Sequence, residues 1–131
     1  MIKGIGVDLV DIDELKELIN RIGPAATSKL FSPTELELSK SKSDPYEYLA
    51  ARFAAKEAVT KALSPLLAAN QALYESIDMR IVETLNKEDG SPYIVRHAKI
   101  NEILQKVEVS QLHISLSTEK GMACAFVVAE G

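Results

Sequence analysis

Residues 2–8 read Ile2-Lys3-Gly4-Ile5-Gly6-Val7-Asp8, and their alternation decides how the rest of the chain is arranged. Side chains along a strand point to opposite faces in turn. Gly4, Gly6 and Asp8 therefore share one face, while Ile5, Val7 and Leu9 share the other. Bare glycines on one face suit a neighbouring backbone that comes very close. The segment able to do so is Ala51-Arg52-Phe53-Ala54-Ala55-Lys56-Glu57-Ala58, within a helix predicted over residues 45–63. Alanine is the strongest helix former, and its short side chain lets a helix lie against another backbone. Asp8 then stands at the strand end and faces a helix that carries Glu57.

The flanking sequence fills in an α+β domain. Ile12, Leu15, Leu18, Ile19 and Ile22 recur at helical spacing, and Gly23-Pro24 stops that helix. Ser32-Pro33-Thr34-Glu35 is a capping box with proline at the first helical position. Asp44-Pro45-Tyr46-Glu47 repeats the logic and starts the long helix. Further on, residues 77–84 suit a strand, Asn86 to Pro92 a turn, and Tyr93 to Arg96 the returning strand. Ile100, Ile103, Leu104 and Val107 mark another amphipathic helix. Leu112 to Ser117 and Met122 to Ala129 form a hairpin around Glu119-Lys120-Gly121. The predicted order is β-α-α-α-β-β-α-β-β, a single domain over residues 1–131 with a mainly antiparallel sheet packed on a long central helix.

Composition narrows the function. Nineteen acidic against fifteen basic residues argue against a general nucleic-acid surface, which carries a basic excess and stacking aromatics. One cysteine and two histidines without ligand spacing argue against zinc. Cys124 lies in an apolar run and reads as a buried strand residue. No stretch approaches a membrane span and the start has no signal-peptide pattern, so a cytoplasmic protein without a membrane partner is expected.

Two carboxylates, Asp8 and Glu57, with Lys61 nearby suit a magnesium ion held against a pyrophosphate. Mg²⁺ takes one or two carboxylates and leaves its other positions to water and phosphate; Mn²⁺ meets the same oxygen ligands. The bland alternative is that Glu57 and Lys61, four apart, form a surface ion pair worth about 0.2–0.5 kcal/mol, with Asp8 a turn residue. Arg52 lies off the Glu57 stripe and reaches either another part of a long ligand or only solvent. His113, Ser115 and Ser117 alternate onto one face of a strand, with Ile114 and Leu116 on the other. That stripe is either solvated surface or a set of donors for phosphate oxygens, with Lys120 adding charge. Neither a G-x-S-x-G elbow nor a phosphate-binding P-loop occurs.

Gly4-Ile5-Gly6-Val7-Asp8-Leu9-Val10, Arg52-Phe53-Ala54-Ala55-Lys56-Glu57-Ala58 with Lys61, and His113-Ile114-Ser115-Leu116-Ser117 together resemble the holo-[acyl-carrier-protein] synthase family, the short type of 4′-phosphopantetheinyl transferase. Phe31 to Glu35 and Gly90-Ser91-Pro92 resemble the family's F-x-x-x-E and G-x-P features. The resemblance covers essentially the whole chain. It implies transfer of the phosphopantetheine arm of coenzyme A to a serine of an apo-acyl carrier protein in support of fatty acid biosynthesis, with release of adenosine 3′,5′-bisphosphate. It further implies Asp8 and Glu57 as magnesium ligands, and a homotrimer with active sites between subunits. On this reading Asp8, Glu57 and Lys61 carry catalysis. Arg52, Lys61, His113, Ser115 and Lys120 grip the coenzyme A phosphates, and the base is Glu57 or a water. The alternative on the same scaffold is a protein that binds coenzyme A without transferring the arm.

Three features depart from the family pattern. Leu63 to Asn70 contains no glycine where a G-T-G-like turn usually follows the long helix. Glu14 stands where members often carry a basic residue, leaving Lys16, Arg21 and Lys29 to face an acidic carrier. Thr118 replaces a second histidine.

Overall fold

The computed structural model describes residues 1–69 and 77–131. In chain order its elements are β1 (Ile2–Asp11), α1 (Ile12–Thr27), α2 (Pro33–Ser39), α3 (Pro45–Ala69), β2 (Thr84–Asn86), β3 (Pro92–Ile94), α4 (Ala98–Lys106), β4 (Gln111–Glu119) and β5 (Met122–Glu130). β1, β5 and β4 form an antiparallel sheet in that spatial order, while β2 and β3 form a separate short hairpin. The predicted α+β order stands.

Small residues explain why α3 lies where it does. Ala50, Ala54, Ala55 and Ala58 of α3 are fully buried, and so are Ala123, Ala125, Val127 and Ala129 on the facing side of β5. Against β1 the approach is closer still. A Cβ added to Gly6 would lie 2.8 Å from the carbonyl carbon of Ala58, and one on Gly4 would lie 3.1 Å from that of Ala62. Only glycine fits at either position, so the helix rests on the bare strand backbone. Phe31, Leu49, Val59, Leu63, Ile100 and Leu104 fill the core around α3.

Local signals set the helix starts. Ser32 and Glu35 form the predicted reciprocal capping box, and Asp44 Oδ1 accepts from the Glu47 amide at 3.1 Å. α1 breaks at Gly23 (φ 81°, ψ 175°) and resumes for one further turn from Pro24.

Three expectations need correction. The long helix does not end at residue 63 but continues through Pro65 to Ala69. Leu67 is buried on the core side of this extension, and that burial offsets the hydrogen bond lost at proline. The missing glycine turn after Leu63 is therefore extra helix as far as Ala69; Asn70 lies outside the described residues. Residues 77–84 are not a strand either: a 3₁₀ turn occupies Met79–Ile81, and β2 begins only at Thr84. Cys124 is half-buried, not buried, because it sits on the outer face of the sheet between Leu9 and Ser117.

That outer face is unusual for a solvated surface. Ile5, Val7 and Leu9 of β1 are 56%, 50% and 65% exposed, and Phe126 beside Val7 is 44% exposed. His113, Ser115 and Ser117 of β4 continue the same face, with Ile114 and Leu116 turned inward as expected. Among the described residues no helix is long and apolar enough to cross a membrane.

Candidate active site

The glycine contact seats β1 against α3 and sets Asp8 opposite Glu57; Asp8 is not at the strand end as expected, because β1 stays paired with β5 as far as Asp11. Lys61, one turn beyond Glu57, reaches across to β1. Its Nζ donates to Asp8 Oδ1 at 2.9 Å and to the Val7 carbonyl oxygen at 3.0 Å. Burial first, and then the negative charge of Asp8, push the Glu57 carboxyl above its usual range, while Lys61 pulls it partly back. Two carboxylates that repel one another beside a single ammonium are a donor set short of positive charge. A groove of about 500 Å³ opens beside them, lined by Asp8, Asp11, Glu14, Arg21, Phe53 and Glu57 among others.

No group of three or more His, Cys, Asp or Glu side chains able to hold a metal occurs among the described residues. A hard cation such as Mg²⁺ takes one or two protein carboxylates and is completed by substrate phosphate and water. Asp8 and Glu57 fit such an ion.

The other predicted residues lie elsewhere in the single chain. Arg52 is about 140° around α3 from Glu57 and borders a second groove of about 510 Å³ with Lys42, Tyr48, Asn86, Ser117 and Thr118. Its guanidinium hydrogen-bonds Asn86 Oδ1 and lies 4.2 Å from the centre of the Tyr48 ring. Among the described residues its buried Nε has no hydrogen-bond partner. His113 pairs with Glu130 at 3.0 Å on the outer sheet face, and Ser115 sits there beside Phe126. Lys120 is at the β4–β5 turn in a left-handed conformation (φ 52°). The neighbouring Gly121 carbonyl accepts from the Ile12 amide at 2.9 Å, so this turn meets the start of α1. Asp8, Glu57 and Lys61 are thus brought together within one chain, and Arg52, His113 and Ser115 are not brought to them.

Sequence reasoning missed a buried polar cluster directly behind the site. Lys56, adjacent to Glu57, is wholly buried with Glu35 at 2.7 Å. The Lys56 Nζ also donates to the carbonyls of Val82 at 2.7 Å and Met79 at 3.0 Å. Glu35 accepts in addition from the amides of Ser32 at 2.9 Å and Thr84 at 3.0 Å. Glu83 receives the Ser32 hydroxyl and pairs with His97 at 2.9 Å. Burial lowers the Lys56 ammonium from its usual value, and the Glu35 charge offsets part of that. A signal was available: Arg52, Lys56, Val59 and Leu63 are spaced four, three and four apart, which puts both cations on the buried stripe.

Comparison with known proteins follows the same geometry. Residues 4–127 match the model of the 4′-phosphopantetheinyl transferase superfamily. A holo-[acyl-carrier-protein] synthase of Halothermothrix orenii is 33% identical over 99% of this chain and 98% of its own length. That of Syntrophus aciditrophicus is 35% identical over 100% and 98%. The crystal structure of the Neisseria meningitidis synthase superposes with a TM-score of 0.83 at 30% identity, covering 100% of both chains. The Helicobacter pylori synthase in complex with coenzyme A superposes with a TM-score of 0.76 at 26% identity, over 96% of this chain and 99% of that one.

Proposed function

This chain belongs to the 4′-phosphopantetheinyl transferase superfamily, among the holo-[acyl-carrier-protein] synthases, and we propose that it works with Mg²⁺ held by Asp8 and Glu57 and with Lys61 facing the transferred phosphate. It is an enzyme, and its reaction moves the phosphopantetheine arm of coenzyme A to an acyl carrier protein. The observation that carries the mechanistic reading is the meeting of Asp8, Glu57 and Lys61 across the bare-glycine contact.

Bound at these carboxylates, the ion would neutralise charge developing on the pyrophosphate and fix it for in-line attack. Lys61 supplies positive charge directly beside the two carboxylates, in addition to that of Arg21 along the groove. The carrier serine needs a base, and in this proposal that base is Glu57 or a water. The serine oxygen bonds to the phosphorus on the pantetheine side, the bond to the bridging oxygen breaks, and adenosine 3′,5′-bisphosphate leaves. In this proposal Arg52, His113, Ser115 and Lys120 bind the remaining phosphates.

His113 and Ser115 reach a groove only if the outer face of the sheet meets a second subunit. The exposed stripe of Ile5, Val7, Leu9 and Phe126 supports such a contact, and a homotrimer with each active site between two subunits accounts for it. The enzyme then serves fatty acid synthesis in the cytoplasm.

Incubation with apo-acyl carrier protein, coenzyme A and Mg²⁺, with and without chelator, tests the reading by intact-mass spectrometry of the carrier. The expected result is a gain of one phosphopantetheine that chelator abolishes and that the folded Glu57→Gln variant fails to produce. Wild-type turnover by Glu57→Gln, or transfer indifferent to chelator, would refute the ligand assignment.

A further inference from the structure

Lys61 has a choice of partners and takes the less obvious one. A glutamate four residues before a lysine on a helix is the favoured orientation for pairing along the helix surface. Lys61 nevertheless reaches off the helix to Asp8 Oδ1 at 2.9 Å and to the Val7 carbonyl at 3.0 Å. Glu57 has no ion pair within 4.0 Å among the described residues, although it is electrostatically coupled to both Asp8 and Lys61. The Asp8 side chain is 15% exposed and that of Lys61 53% exposed.

We propose that Lys61 is an internal counter-ion of the resting enzyme, seated on the Asp8 carboxylate that a divalent cation must take over. The inference rests on the reading of Asp8 and Glu57 as metal ligands. It adds that the lysine and the metal compete for one oxygen cluster before they cooperate on a phosphate. An ammonium and a divalent cation repel each other, so binding of the metal at Asp8 weakens the Lys61 contact. The half-exposed lysine stem is free to swing, because its two hydrogen bonds are made at its tip. Once displaced, Nζ is unpaired at the edge of the groove, and an anionic phosphate is the partner that restores its neutralisation. Metal and diphosphate each remove an obstacle for the other, so their binding is positively coupled and reciprocal. The same contact keeps Asp8 neutralised when neither is present.

The test is calorimetric titration of Mn²⁺ alone into the full-length protein, with no coenzyme A and no carrier. Wild type, Lys61→Met, Lys61→Arg and Asp8→Asn are compared, each checked for native circular dichroism. A half-exposed ion pair corresponds to up to about fivefold in affinity, and removing the competing charge adds to it. Lys61→Met is therefore expected to bind Mn²⁺ about three- to tenfold more tightly than wild type while transferring phosphopantetheine more slowly. Lys61→Arg keeps the charge and should stay within about twofold of wild type. Opposite movement of metal affinity and activity is the signature of the counter-ion. If Lys61→Met binds Mn²⁺ no more tightly than wild type while Asp8→Asn weakens binding, the counter-ion role is overturned and the ligand assignment survives. If Asp8→Asn binds as wild type does, the ligand assignment falls and this inference falls with it.

Discussion

Glu35→Gln removes one charge from the interior and leaves Lys56 buried without its counter-ion. Both side chains are fully inaccessible, with Nζ and Oε1 2.7 Å apart. Breaking a buried pair by neutralising one partner costs about 3–5 kcal/mol, because the surviving charge stays desolvated. Here the low end applies to Glu35→Gln, since Lys56 retains the carbonyls of Met79 and Val82. Lys56→Met should cost about as much: Glu35 keeps the amides of Ser32 and Thr84 but loses its cation, and two carbonyls lose a donor. The Glu35→Gln/Lys56→Met double variant holds no buried charge at this place and should cost only about 1–2 kcal/mol. The coupling is then at least about 3 kcal/mol, far outside the roughly 0.3–0.5 kcal/mol expected for independent sites. A 131-residue domain has about 7–20 kcal/mol of total stability, so the single variants fold and the cycle can be measured. Urea unfolding followed by circular dichroism, at one fixed protein concentration because assembly adds to apparent stability, should show single-variant midpoints lower by about 1.5–2 M at a slope of roughly 2 kcal/mol/M. Strict additivity of the two substitutions, or a single-variant cost below about 1 kcal/mol, would refute the reasoning that the pair is an electrostatic unit.

Gly6→Ala would place a methyl group against the Ala58 carbonyl and force β1 off α3. A loss of more than about 3 kcal/mol in urea unfolding, with transfer activity lost in whatever remains folded, is expected, and an active variant of wild-type stability would contradict the close approach. Burial pushes the Glu83 carboxyl up, but hydrogen bonds from Ser32 and His97, with the charges of His97 and Lys56, together outweigh it and hold the group below its usual value. Its contribution to stability is therefore complete above the unfolded value near 4.3 and disappears as pH falls through the lower folded value. The stability gap between wild type and Glu83→Gln should accordingly be widest above about pH 5 and narrow towards pH 3; a gap that widens on acidification has the wrong sign. Val7→Lys puts a charge in the middle of the exposed apolar stripe; on the proposed trimeric assembly, sedimentation should find the wild type as trimers and this variant as monomers. A trimeric Val7→Lys variant would move the interface elsewhere.

What could be read from the sequence depended on whether a residue's partner was signalled by periodicity. β1, α3 and the β4–β5 hairpin were legible because alternation and alanine spacing assign their faces without reference to anything distant. The same arithmetic faced Asp8 toward α3 and separated Arg52 from Glu57, but it left Lys61 free to pair with Glu57, and only the structure shows it on Asp8. Residues 77–84 were misread because the apolar residues Ile77, Met79 and Ile81 alternate like a strand. The carbonyls of Met79 and Val82 are instead taken by Lys56, a partner more than twenty positions away that no local pattern reveals. Glu35 was legible as a helix cap, which it is, yet its second carboxylate oxygen ties α2 to the start of β2. The continuation of α3 past Pro65 was hidden because a strong local stop signal was outweighed by burial of Leu67.

The seat of α3 on the glycines of β1 also determines how this enzyme can drift. Where two elements meet through side chains, a substitution on one can be absorbed by a rotamer on the other, and their separation wanders over generations. At Gly4 and Gly6 there is no rotamer to adjust, because the strand backbone meets helix carbonyls directly. The spacing of the strand that carries Asp8 from the helix that carries Glu57 is therefore set by backbone packed on backbone, with no side chain between. A change elsewhere in the core reaches the site only through stability, whereas one hydrogen replaced at Gly4 or Gly6 moves the strand that carries Asp8.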